Sequence, residues 1–123
     1  WYTRYSRSKL CNLLFTFELA KRLKKKGITV NCMHPGIVST NIAQERIGLM
    51  QFIIKIVLKI KGISPTEGAD TIIFLATDKS VSQISGKYFV KRKICKPSPV
   101  ATNNEYAIQL WKESESIVKE FKF

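Results

Sequence analysis

What most limits the folds open to this chain is a long helical pattern that stops at one glycine and turns at once into a strand pattern. Leu10, Leu13, Leu14, Phe17, Ala20 and Leu23 recur at steps of three and four, which gathers them on one helical face. Lys21, Arg22, Lys24, Lys25 and Lys26 crowd the far end, where positive charge complements the helix dipole, and Gly27 supplies the stop. In the run I-T-V-N-C-M-H that follows, Ile28, Val30 and Cys32 alternate with polar residues until Pro35-Gly36 closes it. A helix that feeds a short strand through a single glycine is the grammar of a parallel sheet covered by helices. The predicted class is therefore α/β.

The first turns of that helix carry Y-S-R-S-K. Tyr5 and Lys9 stand four positions apart, one helical turn, so a phenol lies beside an ammonium. A positive neighbour favours the phenolate and makes its proton easier to move, which suits the pair to acid–base work on carbonyls and alcohols. The plainer alternative is a helix-end aromatic next to a solvated charge.

Farther along, the segment I-G-L-M-Q-F-I-I-K-I-V-L-K-I-K-G sets Gln51, Lys55 and Lys59 in one narrow polar stripe on an otherwise apolar helix. It is too short and too interrupted to be read as a membrane span. Its apolar surface suits a greasy substrate or entry from a membrane, and equally a helix packed on a neighbour. Ser64-Pro65-Thr66-Glu67 reads as a capping box, opening a helix that runs to about Ala76 with Ile72, Ile73 and Leu75 facing the sheet. Residues 78–83 should form a loop, residues 84–90 a strand with Gly86 inside it, and the basic, proline-bearing residues 91–99 a second loop. Ala107, Leu110, Trp111, Ser114, Ile117, Val118 and Phe121 then describe a terminal helix, to which no site is assigned.

Taken in order, Y-S-R-S-K, N-C-M-H-P-G-I-V-S-T and I-S-G-K-Y-F-V resemble the C-terminal half of a short-chain dehydrogenase/reductase, from Tyr5 through about Val90. The wording of the first helix and strand is especially similar to the retinol dehydrogenase branch of that family. The resemblance implies the C-terminal half of a Rossmann-like, doubly wound parallel sheet, incomplete without its N-terminal half. Residues 1–90 would be the C-terminal part of the catalytic domain, with an apolar substrate or membrane insert at 41–61. Residues 91–123 would be a basic loop and C-terminal helix.

Also by resemblance, the reaction would be hydride transfer between NADP(H) and a lipophilic carbonyl or alcohol such as retinal or retinol, with NAD(H) not excluded. Tyr5 would be the general acid/base. Lys9 would bind the ribose hydroxyls and favour the ionised tyrosine. Pro35, Gly36, Val38 and Thr40 would line the nicotinamide side, although a threonine before an asparagine in a loop also serves as a helix cap. A non-catalytic membrane-associated or interaction protein that retains the reductase framework is the alternative.

No G-x-x-x-G-x-G or G-x-G-x-x-G phosphate loop occurs in the 123 residues, and the family's catalytic serine and asparagine belong upstream of the tyrosine. The sequence opens on Trp1, so it reads as part of a longer enzyme, expected to be poorly stable and inactive by itself. The net charge of +12 raises the question of nucleic acid, but no aromatic–basic interleaving accompanies it. An anionic membrane surface fits the lysines better, and simple solvated charge is the bland alternative. Cys11, Cys32 and Cys95 lack metal-ligand spacing and are read as reduced thiols. His34, the sole histidine, makes no metal site and is read as structural or supporting. An intracellular, endoplasmic-reticulum membrane setting is expected from the resemblance, and pairing into a homodimer is left open.

Overall fold

A computed structural model describes residues 2–36 and 64–121 of the chain. The apolar insert expected at 41–61, together with Val38 and Thr40, lies outside the described residues.

Helix α1 (Tyr2–Leu23) forms where the apolar residues recur, and it buries Leu14 and Ala20. Lys24–Lys26 tighten into a 3₁₀ turn, and Gly27, at φ 68°, donates its N–H to the Lys24 carbonyl. A Cβ at Gly27 would meet nothing within 4 Å. The backbone angle, not crowding, requires glycine there.

Strand β1 (Cys32–His34) runs parallel to β2 (Tyr88–Val90), with Cys32 opposite Tyr88, Met33 opposite Phe89 and His34 opposite Val90. Both are shorter than the alternation suggests, for a visible reason. Gly86, placed inside the strand by sequence, precedes β2 at φ 67° and takes the backbone out of ladder geometry. Side chains continue the pairing in its stead. The Asn31 amide donates to the Ile84 carbonyl at 2.6 Å and accepts from the Lys87 N–H at 3.0 Å, while Ser85 Oγ accepts from the Val30 N–H at 3.0 Å. The Gly86 N–H still reaches the Val30 carbonyl at 2.7 Å. A Cβ at Gly86 would stand 3.5 Å from the Ala20 Cβ, so α1 passes close over this bend.

Residues 91–99 are not simply a loop. Lys93–Cys95 form β3, antiparallel to β2, with Tyr88 opposite Cys95, Phe89 opposite Ile94 and Val90 opposite Lys93. The two connecting residues, Lys91 and Arg92, have φ of 48° and 61°, the primed-turn geometry of a tight hairpin. Such turns usually declare themselves with Asn-Gly or Asp-Gly, and Lys-Arg carries no such signal. The described sheet is therefore three-stranded, in the order β1-β2-β3: β1 and β2 are parallel, as expected of part of a Rossmann-like α/β fold, and β3 adds an antiparallel edge.

Helix α2 (Pro65–Thr77) opens on the predicted capping box. Ser64 Oγ accepts from the Glu67 N–H at 3.2 Å, and the Glu67 carboxylate accepts from the Ser64 N–H at 2.8 Å. The expected inward face is only partly right. Ile72 and Ile73 are more than half exposed, whereas Gly68 and Thr71 are buried and Phe74 and Leu75 half-buried. The helix is turned by its ties to the hairpin. Thr71 Oγ1 accepts from the Arg92 N–H at 3.2 Å, Arg92 pairs with Asp70, and its guanidinium lies 5.6 Å from the Phe74 ring centre.

A short 3₁₀ turn, Lys79–Val81, replaces the plain loop after α2 and buries Val81. After a second 3₁₀ turn, Pro99–Thr102, Asn103 caps helix α3 (Asn104–Glu120) by accepting from the Tyr106 N–H at 3.0 Å. Helix α3 packs on α1. Phe15 and Trp111 stack with centroids 5.2 Å apart, and Arg22 covers Trp111 at 4.3 Å while donating to the buried Glu18 at 2.8 Å. Phe89 is the largest fully buried side chain of the described core.

Candidate functional site

The direction of α1 over the sheet decides where Tyr5 and Lys9 fall. Ala20 lies against Gly86, just before the strands begin, and Thr16, one turn toward the helix start, hydrogen-bonds the Cys32 side chain in β1. Helix and strands therefore run in opposite directions. From Thr16 back to Lys9 is about 10 Å along a helix, and from Cys32 forward to Pro35 is about 10 Å along a strand. Lys9 thus comes level with the Pro35-Gly36 bend, and Tyr5 lies one turn beyond. This is the carboxyl end of the strands, where open α/β sheets receive their ligands.

At that end the Lys9 ammonium sits over the Tyr5 ring, 5.3 Å from its centroid, close enough for a cation–π attraction. Both side chains are exposed. Ser8 Oγ donates to the Tyr5 carbonyl at 2.8 Å, bonding back along the helix. The fold brings Tyr5, Lys9, Pro35 and Gly36 to one end, whereas Val38 and Thr40 are outside the described residues. A nicotinamide nucleotide fits this donor set: Lys9 carries three N–H donors for a ribose diol, and Tyr5 carries one hydroxyl. Burial and the neighbouring Cys32 and Cys95 push the hydroxyl pKa of Tyr88 up.

The sequence marked His34 only as a supporting residue. In the structure its Nδ1 accepts the N–H of Gly36 at 2.8 Å, closing the Pro35-Gly36 bend. Gly36 has φ 90°, a conformation side chains rarely adopt. The available signal was a polar acceptor two residues before the glycine that follows a strand. Asn31 was also missed as a brace, because its partners Ile84 and Lys87 are more than fifty residues away in sequence.

Among the described residues no His, Cys, Asp or Glu group is arranged to hold a metal ion. Cys11, Cys32 and Cys95 are free, and burial pushes the Cys32 thiol pKa up against the hydrogen bond from Thr16. An open cleft of about 880 Å³ lies at the other end of the strands, bordered by Ala20, Gly27 and Gly86. Its rim carries Lys21, Lys24, Lys87 and Lys96 with no acidic side chain, and it does not include the Tyr5–Lys9 pair. No helix among the described residues is long and apolar enough to cross a membrane.

A family model described as "Enoyl-(Acyl carrier protein) reductase" matches residues 2–91. The chain is 41% identical to "Retinol dehydrogenase 14" of Homo sapiens over 124 residues, 93% of this chain and 34% of that protein. It is 39% identical to "Retinol dehydrogenase 12" of Bos taurus, covering 89% of this chain and 34% of the relative. It is 36% identical to "WW domain-containing oxidoreductase" of Homo sapiens, covering 94% and 28% respectively. The chain spans about a third of the length of the relatives it matches.

Proposed function

The chain belongs to the short-chain dehydrogenase/reductase family of oxidoreductases, alongside the retinol dehydrogenases, and from that premise we propose that it supplies the proton-transfer and nicotinamide-side elements of an NADP(H)-dependent enzyme acting on a lipophilic carbonyl or alcohol such as retinal or retinol. The observation that carries this reading is the Tyr5–Lys9 pair, one turn apart on α1, with the Lys9 ammonium 5.3 Å from the centre of the Tyr5 ring. When bound, the nicotinamide supplies or accepts the hydride.

The chain's own residues do the rest. Negative charge grows on the carbonyl oxygen during reduction, and Tyr5 gives its hydroxyl proton to that oxygen so that no free alkoxide is left. In oxidation the Tyr5 oxygen, as the phenolate, takes the proton from the alcohol. Lys9 donates to the ribose hydroxyls. Pro35 and Gly36 present backbone without a bulky side chain at the nicotinamide side, and by resemblance Val38 and Thr40, outside the described residues, would take part in the same role. The choice of NADP(H) and of retinal rests on likeness to the retinol dehydrogenases.

The test is NADPH-dependent reduction of retinal by the full-length protein, with NADH in parallel. Turnover that is lost in Tyr5→Phe while the cofactor still binds supports the assignment, and full activity in that variant removes it. Association with an anionic membrane surface, endoplasmic reticulum in the first instance, belongs to the same proposal. Its support is the +12 net charge and the lysine rim of the open cleft.

A further inference from the structure

The bend after β1 is held by three different restraints, and one of them is a side chain with no part in proton transfer. Pro35 fixes its own φ and has no N–H to offer. Gly36 takes up φ 90°. Its N–H is the first donor after β1 ends, and the acceptor is the His34 imidazole at 2.8 Å, not another strand. Accepting through Nδ1 requires that atom to be bare, so the ring proton sits on Nε2. The arrangement mimics the turn that an asparagine side chain makes with the N–H two residues on.

We propose that His34 is a positioning residue for the cofactor: by capping Gly36 it holds the Pro35-Gly36 bend in the one shape that receives the nicotinamide side. This rests on the functional reading above, since it deepens the role of the same bend. His34 touches the backbone, not the reacting atoms. Without its acceptor, the Gly36 N–H turns to water and the bend samples other shapes, so the cofactor must order it on binding. The defect should fall on cofactor binding and spare the chemical step, because Tyr5 and Lys9 are held separately on α1.

The experiment compares the full-length protein with His34→Ala and His34→Asn, measuring NADPH affinity by nicotinamide fluorescence, cofactor KM, kcat and Tm. His34 is exposed, so neither change disturbs a packed side chain. Alanine should raise the cofactor Kd and KM by about three- to tenfold, the range of one hydrogen bond, with kcat within about twofold. Asparagine should stay within about twofold of the parent because its Oδ1 can accept from the same N–H. Alanine binding as well as the parent, or asparagine as impaired as alanine, overturns the inference and leaves the cofactor reading standing. A parent protein that binds no nicotinamide dinucleotide overturns the cofactor reading, and the role of His34 falls with it.

Discussion

At the scale of single residues, the roles proposed for Tyr5 and Lys9 are separable, because one would handle the proton and the other the ribose. Tyr5→Phe is expected to lower kcat of the full-length enzyme by about 10²- to 10⁴-fold, with NADPH affinity changed by less than about threefold. Lys9→Met should raise the cofactor KM as well as lower kcat, and steady-state kinetics with both substrates varied separates the two patterns. Asn31 offers a test of the structure independent of catalysis. Its half-buried amide serves one donor and one acceptor of the β2 approach, and Asn31→Leu leaves both without it. The cost should be about 1–3 kcal/mol, read from the Tm and denaturation midpoint of the full-length protein. What the sequence made legible locally is that Tyr5 and Lys9 lie one turn apart on α1 and that Pro35-Gly36 ends the first strand. Asn31 was opaque because an amide reveals nothing of partners fifty residues away.

Elements were readable in proportion to how locally they are determined. Helices α1, α2 and α3 follow from periodic apolar residues and side-chain caps, all within a few positions of one another. β3 was hidden because Lys91 and Arg92 occupy left-handed conformations that neither residue advertises. That misfit predicts a gain: Lys91→Asn should stabilise the hairpin by about 0.5–1 kcal/mol in thermal melts, while Arg92 is left to pair with Asp70. The inward face of α2 was misjudged because Thr71 and Asp70 tie the helix to the hairpin through Arg92 and leave Ile72 and Ile73 outside. Acid should loosen this same region. Hydrogen bonds from Ser64, Arg92 and Ser80 hold the carboxyl groups of Glu67, Asp70 and Asp78, in that order, below their ordinary pKa ranges. The stability they lend is complete where the unfolded chain's carboxylates are ionised, and it disappears as pH falls through the lowered folded values. Melts between pH 7 and pH 3 should show this loss, and Asp70→Asn should show less of it.

Over the whole molecule, the sequence established the α/β class and its grammar but not how the sheet's outer edge is finished. The described core is small, with Phe89 its largest fully buried side chain, while Ile72, Ile73, Ile117, Val118 and Phe121 remain exposed. The lysine-rimmed cleft makes the membrane proposal quantitative: Lys24→Gln, Lys87→Gln and Lys96→Gln together should weaken binding to phosphatidylserine vesicles about a hundredfold at low salt. Equal binding to neutral vesicles would remove the electrostatic account. The register of the sheet carries a last consequence. Cys32 and Cys95 share a row with Tyr88 between them, so two strand spacings separate their backbones by about 9–10 Å, beyond the reach of an S–S bond. Mild oxidation therefore leaves Cys32 and Cys95 of an intact molecule unlinked, and a Cys32–Cys95 bridge in a mass spectrum would be a timestamp of chains whose strands had already parted.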